Sequence, residues 1–281
     1  MKRKIVIVLI LVFLFSAISP FAIVHINKLL VGKSEAVITA DKTENITIKK
    51  GDLVYFGEYL GDPILWKAAS NYKDGKILFV SEKVVCFKAF DASGKDEKYH
   101  PSKDFEKYGN ADWNDSTLKQ WLNSSDQKVL YSHCTPSSEN VYGGANAYDK
   151  ESGFLCEENF TEAQRNLITS DGVFLPSKSY LQKNYKAEKR RKIATSSAIA
   201  HNDSAYINFP EKAVWYWTSD KIDTNNVSVA TVTSSGGFYK SLAYDSNVGV
   251  CPAIYLKTDK ISAKKVDGEN KYLIIGGVID D

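Results

Sequence analysis

The sequence predicts an α+β fold with one N-terminal transmembrane helix, and three observations predict it. Apolar alternation bounded by Gly, Asp and Pro marks strands at both ends of the body, short capped amphipathic segments mark two to three helices between them, and a basic start leads into a long apolar run. Strands, then helices, then strands is the order of a mixed fold whose terminal strands pair in one sheet. It is not the alternation of a doubly wound βαβ protein.

Met1-Lys-Arg-Lys4 precedes an apolar run from Ile5 to Ile26, broken only by Ser16, Ser19, Pro20 and His25. About 20 helical residues cross a bilayer core, so residues 5–26 are expected to span a membrane. A cleaved signal peptide is the alternative: Ala17-Ile18-Ser19 has the small-x-small pattern, but Pro20 would follow the cut and the run continues through Phe21 to Val24. An uncleaved signal anchor is the favoured reading. Lys2, Arg3 and Lys4 then place the N-terminus in the cytoplasm and the body outside the cell, although Lys28 and Lys33 weaken the asymmetry. The chain of 281 residues has a formal charge of +2; its first 33 residues hold five bases and no acid, so residues 34–281 carry −3. A body so charged lacks the basic field of a nucleic-acid binder. The expected organisation is an anchor over 1–27, a polar stalk or linker over 28–48, an extracellular domain over 49–258, and a C-terminal extension over 259–281 with a short strand at Lys271–Gly276.

Asp52–Tyr59 reads as the first strand of the body, with Gly57 as a bulge, and Gly61-Asp-Pro63 turns it into a second strand, Ile64–Ser70. Lys73-Asp-Gly75 is a hairpin turn before Lys76–Ser81. Leu118, Trp121 and Leu122 fall at i, i+3 and i+4, which predicts a short helix over Thr117–Asn123 behind several capping side chains. Trp113-Asn-Asp115 matches a calcium-ligand tripeptide of C-type lectins, but it opens a helix and lacks their second acidic cluster, so capping accounts for it better. Phe160–Ile168 is a second helix, with Thr161 or Asn159 as cap and Gln164 completing a capping box. Gly172–Leu175 reads as a strand. Ser177 caps a third helix, Lys178 to about Ile193, whose basic run Lys189–Lys192 suits a solvated face and the C-terminal dipole. Strands follow at Ala213–Thr218, Val227–Thr233, Gly237–Tyr244 and Gly249–Leu256, with Ser234–Gly237 as a hairpin turn.

Cys86, Cys134, Cys156 and Cys251 form no CxxC motif. In an exported chain they allow two disulfides in three connectivities. Cys134 with Cys156 would close a 23-residue loop, leaving Cys86 with Cys251; four buried free thiols are the alternative. His25, His100, His133 and His201 have no partner at metal-ligand spacing, so no metal site is expected, and the three in the body read as surface or satisfied polar residues. Sequons occur at Asn45, Asn114, Asn123, Asn159, Asn202 and Asn226, as expected by chance in a chain rich in Asn, Ser and Thr.

Gly51–Gly57, Trp66, Trp113–Asn123, Gly172–Ser177, Trp215–Ser219, Ser234–Gly237 and Gly249–Leu256, in this order, resemble a bacterial family of domains of unknown function, number 6273. The resemblance implies a C-type-lectin-like fold related to the sulfatase-modifying-factor group, in exported proteins mostly of Gram-positive bacteria, with no established activity. Cys251 departs from it at a place where Arg is more usual, and His133–Glu157 looks inserted. The related sulfatase-modifying enzymes bind copper through two nearby Cys on one segment, and Cys251 has no such neighbour, so no cofactor is expected.

The sequence has no GxSxG elbow, HExxH helix, P-loop or GxGxxG. A binding module for a cell-surface or environmental glycan or peptide is the leading reading, a structural partner in a surface complex the second, and an enzyme the third. Aromatic faces beside amides and carboxylates suit such ligands. The candidates are Tyr216, Asp220, Asp223, Asn226, Tyr239, Tyr244 and Asp245; strand alternation assigns Trp215 and Trp217 to the core and Tyr216 to the opposite face.

Overall fold

A computed structural model describes residues 43–204, 211–222, 224–257, 261–266 and 271–276. The expected membrane helix at 5–26, most of the stalk and Asp223 lie outside them. Among the described residues no helix is long and apolar enough to cross a membrane.

The fold is mixed α+β, mostly strand. It opens with β1 (Thr43–Ile46), β2 (Leu53–Tyr59), β3 (Asp62–Ala68), β4 (Lys76–Ser81) and β5 (Cys86–Phe87). The middle holds α1 (Lys103–Tyr108), α2 (Thr117–Leu122), α3 (Glu162–Leu167), β6 (Ile168–Phe174), α4 (Lys178–Asn184), α5 (Ala187–Arg190), β7 (Lys192–Ile193) and α6 (Ser196–Ala200). The last part runs through β8 (Ala213–Val214), β9 (Tyr216–Lys221), β10 (Ser228–Val232), β11 (Phe238–Leu242), β12 (Gly249–Val250), β13 (Ala253–Lys257), β14 (Ile261–Lys265) and β15 (Lys271–Gly276).

Eight strands form one sheet in the order β1-β14-β15-β2-β3-β4-β13-β6, and five form another, β11-β10-β9-β12-β5. The two ends of the domain thus share a sheet: β13 pairs antiparallel with β4, and β15 lies parallel to β2. A strand also forms within the residues expected to be stalk: β1 pairs with β14, which falls in the expected C-terminal extension, so both stretches join the main sheet.

Three expected elements are divided, and the strand expected over Ala213–Thr218 is one of them, split at Trp215 into β8 and β9 in different sheets. Residues 249–256 are two strands in different sheets, because the chain leaves the five-stranded sheet at Cys251-Pro252; Pro252 has no N–H for a ladder, and its carbonyl instead accepts from Ser81 N at 2.9 Å. The helix expected over 178–193 breaks at Tyr185, which is extended (φ −136°, ψ 136°). Arg190 holds the break: its guanidinium donates to Tyr185 O at 2.6 Å and to Gly236 O at 2.8 Å. The caps hold as read: Ser116, Thr161 and Ser177 each accept from the backbone N–H three residues on, and Thr161 with Gln164 forms a reciprocal capping box.

The main core gathers Trp66, Trp121, Trp217, Phe56, Phe90 and Phe160, and a smaller one gathers Leu181, Ala194, Tyr216, Val232 and Cys251. Each buried indole N–H finds a carbonyl: Trp66 that of Phe56, Trp121 that of Ser152 and Trp217 that of Lys88. Strand β9 is buried on both faces, Trp217 entering the main core and Tyr216 the smaller one.

The bulge expected at Gly57 is present: the β2–β3 register shifts between Tyr55 and Glu58, and Gly57 has φ +67°. An added Cβ would strike the Phe160 ring. Gly57→Ala should therefore lower stability in urea unfolding by roughly 2 kcal/mol or more. Gly51→Ala (φ +101°) has nothing within 4 Å of its added Cβ and should cost less. Equal losses would contradict the steric account.

Candidate functional site

Among the described residues a cleft of about 540 Å³ lies between the β2–β3 turn, the segment after β5 and the loops around 146–159 and 198–203. Glu58, Glu151, Glu158, Asp203 and His201 line it, with Lys88 on its inner wall. Lys88 leaves the core-facing end of β5, and its side chain is 3% exposed. Its ammonium donates to both Glu151 carboxylate oxygens at 2.7 Å. It also lies over the rings of Trp121 and Tyr148, at 4.6 and 4.8 Å from their centroids. A buried cation is tolerated because those hydrogen bonds and aromatic faces replace water. The Tyr59 hydroxyl donates to Glu151 Oε2 at 2.9 Å. Burial, followed by the charges around it, holds the Tyr59 phenol protonated, so it remains a donor. At the rim, hydrogen bonds from its own backbone N–H, Cys156 and Gln127 keep the Glu158 carboxyl below its usual range. Asp203 is fixed by Asn146, whose backbone N–H donates to it at 3.1 Å.

Beyond this wall lies a second, closed constellation. The buried Asp91 carboxylate accepts four hydrogen bonds: His133 Nε2 (2.8 Å) and Thr117 N (2.9 Å) on Oδ1, His100 Nε2 (3.0 Å) and Asn110 N (2.8 Å) on Oδ2. The opposite nitrogen of His100 faces Gly94 O at 2.7 Å. With an acceptor at each nitrogen, His100 is assigned as the imidazolium. Burial pushes its pKa down, but the hydrogen bonds to Asp91 and Gly94 more than reverse this and raise it. Burial likewise works to raise the Asp91 pKa, and the bonds from His100, His133 and Asn110 hold it below its usual value.

The ligand atoms of Asp91, His100 and His133 lie within 4.8 Å of one another, close enough for a metal centre. Their arrangement fits one poorly. All four lone-pair positions of the carboxylate are filled, the three side chains have no solvent exposure, and a cation would have to displace both imidazole protons. The set acts as a closed polar brace.

A family model described as "Domain of unknown function (DUF6273)" matches residues 74–258. The chain belongs to this family. Comparison with the curated proteins gave no match, and comparison with the solved structures gave none. In this DUF6273 protein both the cleft and the Asp91 brace lie largely within the matched residues.

The sequence-predicted candidates are dispersed. Tyr216 is 1% exposed and its hydroxyl donates to Arg190 O, whereas Trp215, assigned to the core, is 37% exposed. The alternation failed because Trp215 precedes β9 and because both faces of β9 are covered. Asp220 accepts from Lys178 N at the start of α4, and Asn226 is a turn residue with φ +54°. Tyr239 is 59% exposed and meets Trp215 edge to face. Tyr244 packs instead against Tyr108 and Tyr142, and Asp245 accepts from Asn247 within its own turn. Among these six, none lines the cleft. The cleft residues were missed because they come from positions 58, 88, 151 and 203, which no local spacing links. His100 and His133, read as isolated, converge on Asp91 for the same reason.

The proposed disulfides are absent: all four cysteines are free thiols. Cys86 pairs in register with Val250, so Cys251 points to the other sheet face, and the two sulfurs enter different cores. Cys251 contacts Ser81 Oγ at 3.1 Å. Cys134 lies against Lys95 O and His100, while Cys156 lines the cleft.

Two predictions follow from these charges. Glu151→Gln leaves the Lys88 ammonium buried without its counter-ion and should cost about 2–4 kcal/mol in urea unfolding. Lys88→Met leaves a partly solvated carboxylate and should cost only about 1 kcal/mol. The reverse ranking would show that the pair is not buried on the lysine side. For the brace, His100 contributes stability below its ordinary pKa, lost as pH rises through its raised value. Asp91 contributes above its ordinary value, and this is lost as pH falls through its lowered one. His100→Asn should therefore flatten the alkaline limb of the stability–pH curve; an unchanged limb would refute the imidazolium assignment.

Proposed function

We propose that this chain is a membrane-anchored extracellular binding module with a C-type-lectin-like fold, and that its cleft takes a glycan or peptide bearing an ammonium group. The carboxylates of the cleft carry the reading. Glu58, Glu151, Glu158 and Asp203 line it against one buried lysine whose charge Glu151 already balances, so the open face is anionic. Asn159 and Ser152 add groups able to bond hydroxyls or amides.

Binding suits this site better than nucleophilic chemistry. Burial pushes the Cys86 thiol up to about 12 and also raises Cys156, so neither supplies a thiolate near neutral pH. Glu151 is occupied by Lys88 and Tyr59, an arrangement that fixes its carboxylate toward the cleft at little ordering cost on binding.

The reading is tested by titrating the full-length chain with a glucosamine tetrasaccharide and with its N-acetylated form. The free amine form should bind at least tenfold tighter, and Glu58→Gln with Asp203→Asn should remove most of that preference. Equal affinity for the two sugars, or no binding of either alongside no binding of amine-bearing peptides, would sink it.

A further inference from the structure

A second cavity, of about 300 Å³, shares no lining residue with the cleft and has the opposite charge. Lys67, Lys189, Arg190, Arg191 and Lys192 line it against one carboxylate, Glu82. The basic run Lys189–Lys192 thus does not form a solvated helical face. The break at Tyr185 ends α4, α5 stops at Arg190, and β7 begins at Lys192, so the run wraps around a concavity. The floor is apolar, with Leu181, Tyr216 and Cys251.

The cations differ in their commitments. Arg190 is anchored through Nε to Gly236 O and Nη1 to Tyr185 O, with its guanidinium over the Phe238 ring. Arg191 uses Nε on Ser234 O at 3.1 Å. Lys192, only 13% exposed, donates to Ser81 O at 2.8 Å and lies 3.6 Å from Glu82. Among the described residues, the ammonium groups of Lys67 and Lys189 make no hydrogen bond or ion pair, and the outer guanidinium nitrogens of Arg191 make none. Anchored guanidinium groups over an apolar floor, with two uncommitted ammonium groups at hand, form a preorganised anion site. The volume lies at the small end of ligand pockets.

We infer that this cavity binds a phosphate ester, its phosphoryl group held by Lys67, Lys189 and Arg191 and its organic part resting on Leu181 and Tyr216. The phosphoryl group can come from a soluble ester or from a phospholipid headgroup. Two arms separate these sources. Glycerol 3-phosphate and inorganic phosphate are titrated calorimetrically into the full-length chain, and the chain is sedimented with phosphatidylglycerol or phosphatidylcholine vesicles. Glycerol 3-phosphate should bind saturably and more tightly than inorganic phosphate if the ester is soluble. Selective capture by phosphatidylglycerol assigns the headgroup. Either interaction should weaken at least tenfold in Lys189→Glu and several-fold in Lys189→Gln, with less than a twofold change in Lys128→Glu, which makes the same charge change at an exposed position outside both cavities. Unfolding midpoints confirm that the variants are folded. No saturable binding in either arm, or an equal loss in Lys128→Glu, overturns the proposal. The amino-sugar titration is independent of it, so the two readings fail separately.

Discussion

The buried carboxylate of Asp91 is the constraint on which the middle of this protein depends. From 88 to 160 the chain has few regular elements: two short helices and a single 3-10 turn. Such a segment cannot satisfy its backbone through ladders, and its buried polar groups need other partners. Asp91 supplies them at four points, drawing the backbone of Asn110 and Thr117 and the rings of His100 and His133 onto one group. The chain of bonds continues, because Thr117 Oγ1 accepts from Ala92 N and meets the Tyr148 hydroxyl, which donates to Ala89 O. An unpaired carboxylate at this depth would cost several kcal/mol. With every lone pair filled, the same charge fixes how the loops meet.

The cleft inherits this order. Asp91 bonds the first turn of α2, and α2 carries Trp121, whose ring flanks the Lys88 ammonium. Tyr148, on the other side of Lys88, is tied to the brace through Thr117. Lys88 is therefore positioned by residues that Asp91 organises, and Glu151 is positioned by Lys88. The near-neutral charge of the whole chain is consistent with this design. An anionic cleft and a cationic pocket sit in one domain, and their charges cancel in the sum while remaining apart in space.

What could be read from the sequence was local. Apolar alternation located β2, β3 and β4, and the caps at Ser116, Thr161 and Ser177 located three helices, because each signal is complete within a few residues. Events set by distant partners were not legible. The helix over 178–193 has continuous helical propensity, and only the contact of Arg190 with Gly236 across 46 residues shows why it breaks. Alternation in β9 correctly separated Tyr216 from Trp217, yet it could not reveal that a second core covers the other face. The Asp91 brace spans positions 91 to 133 and leaves no periodic trace. The family resemblance identified the domain without identifying a site.

The thiols fit the same logic. Placing Cys86 opposite Val250 puts Cys251 on the other face by strand parity, so closing that bridge would require a one-residue slip that moved every side chain of β12. Free thiols persist under oxidising conditions when their thiolates are scarce and shielded, since the thiolate is the species that oxidises. Burial raises the pKa of all four here, most clearly for Cys86, and Cys86 and Cys251 are sealed in the two cores. Packing therefore does for these cysteines what pairing does in disulfide-bonded folds. Among the described residues three tryptophans and nearly fifty other apolar side chains are buried, mostly in the two cores, and burial on this scale holds the sheets together without a cross-link.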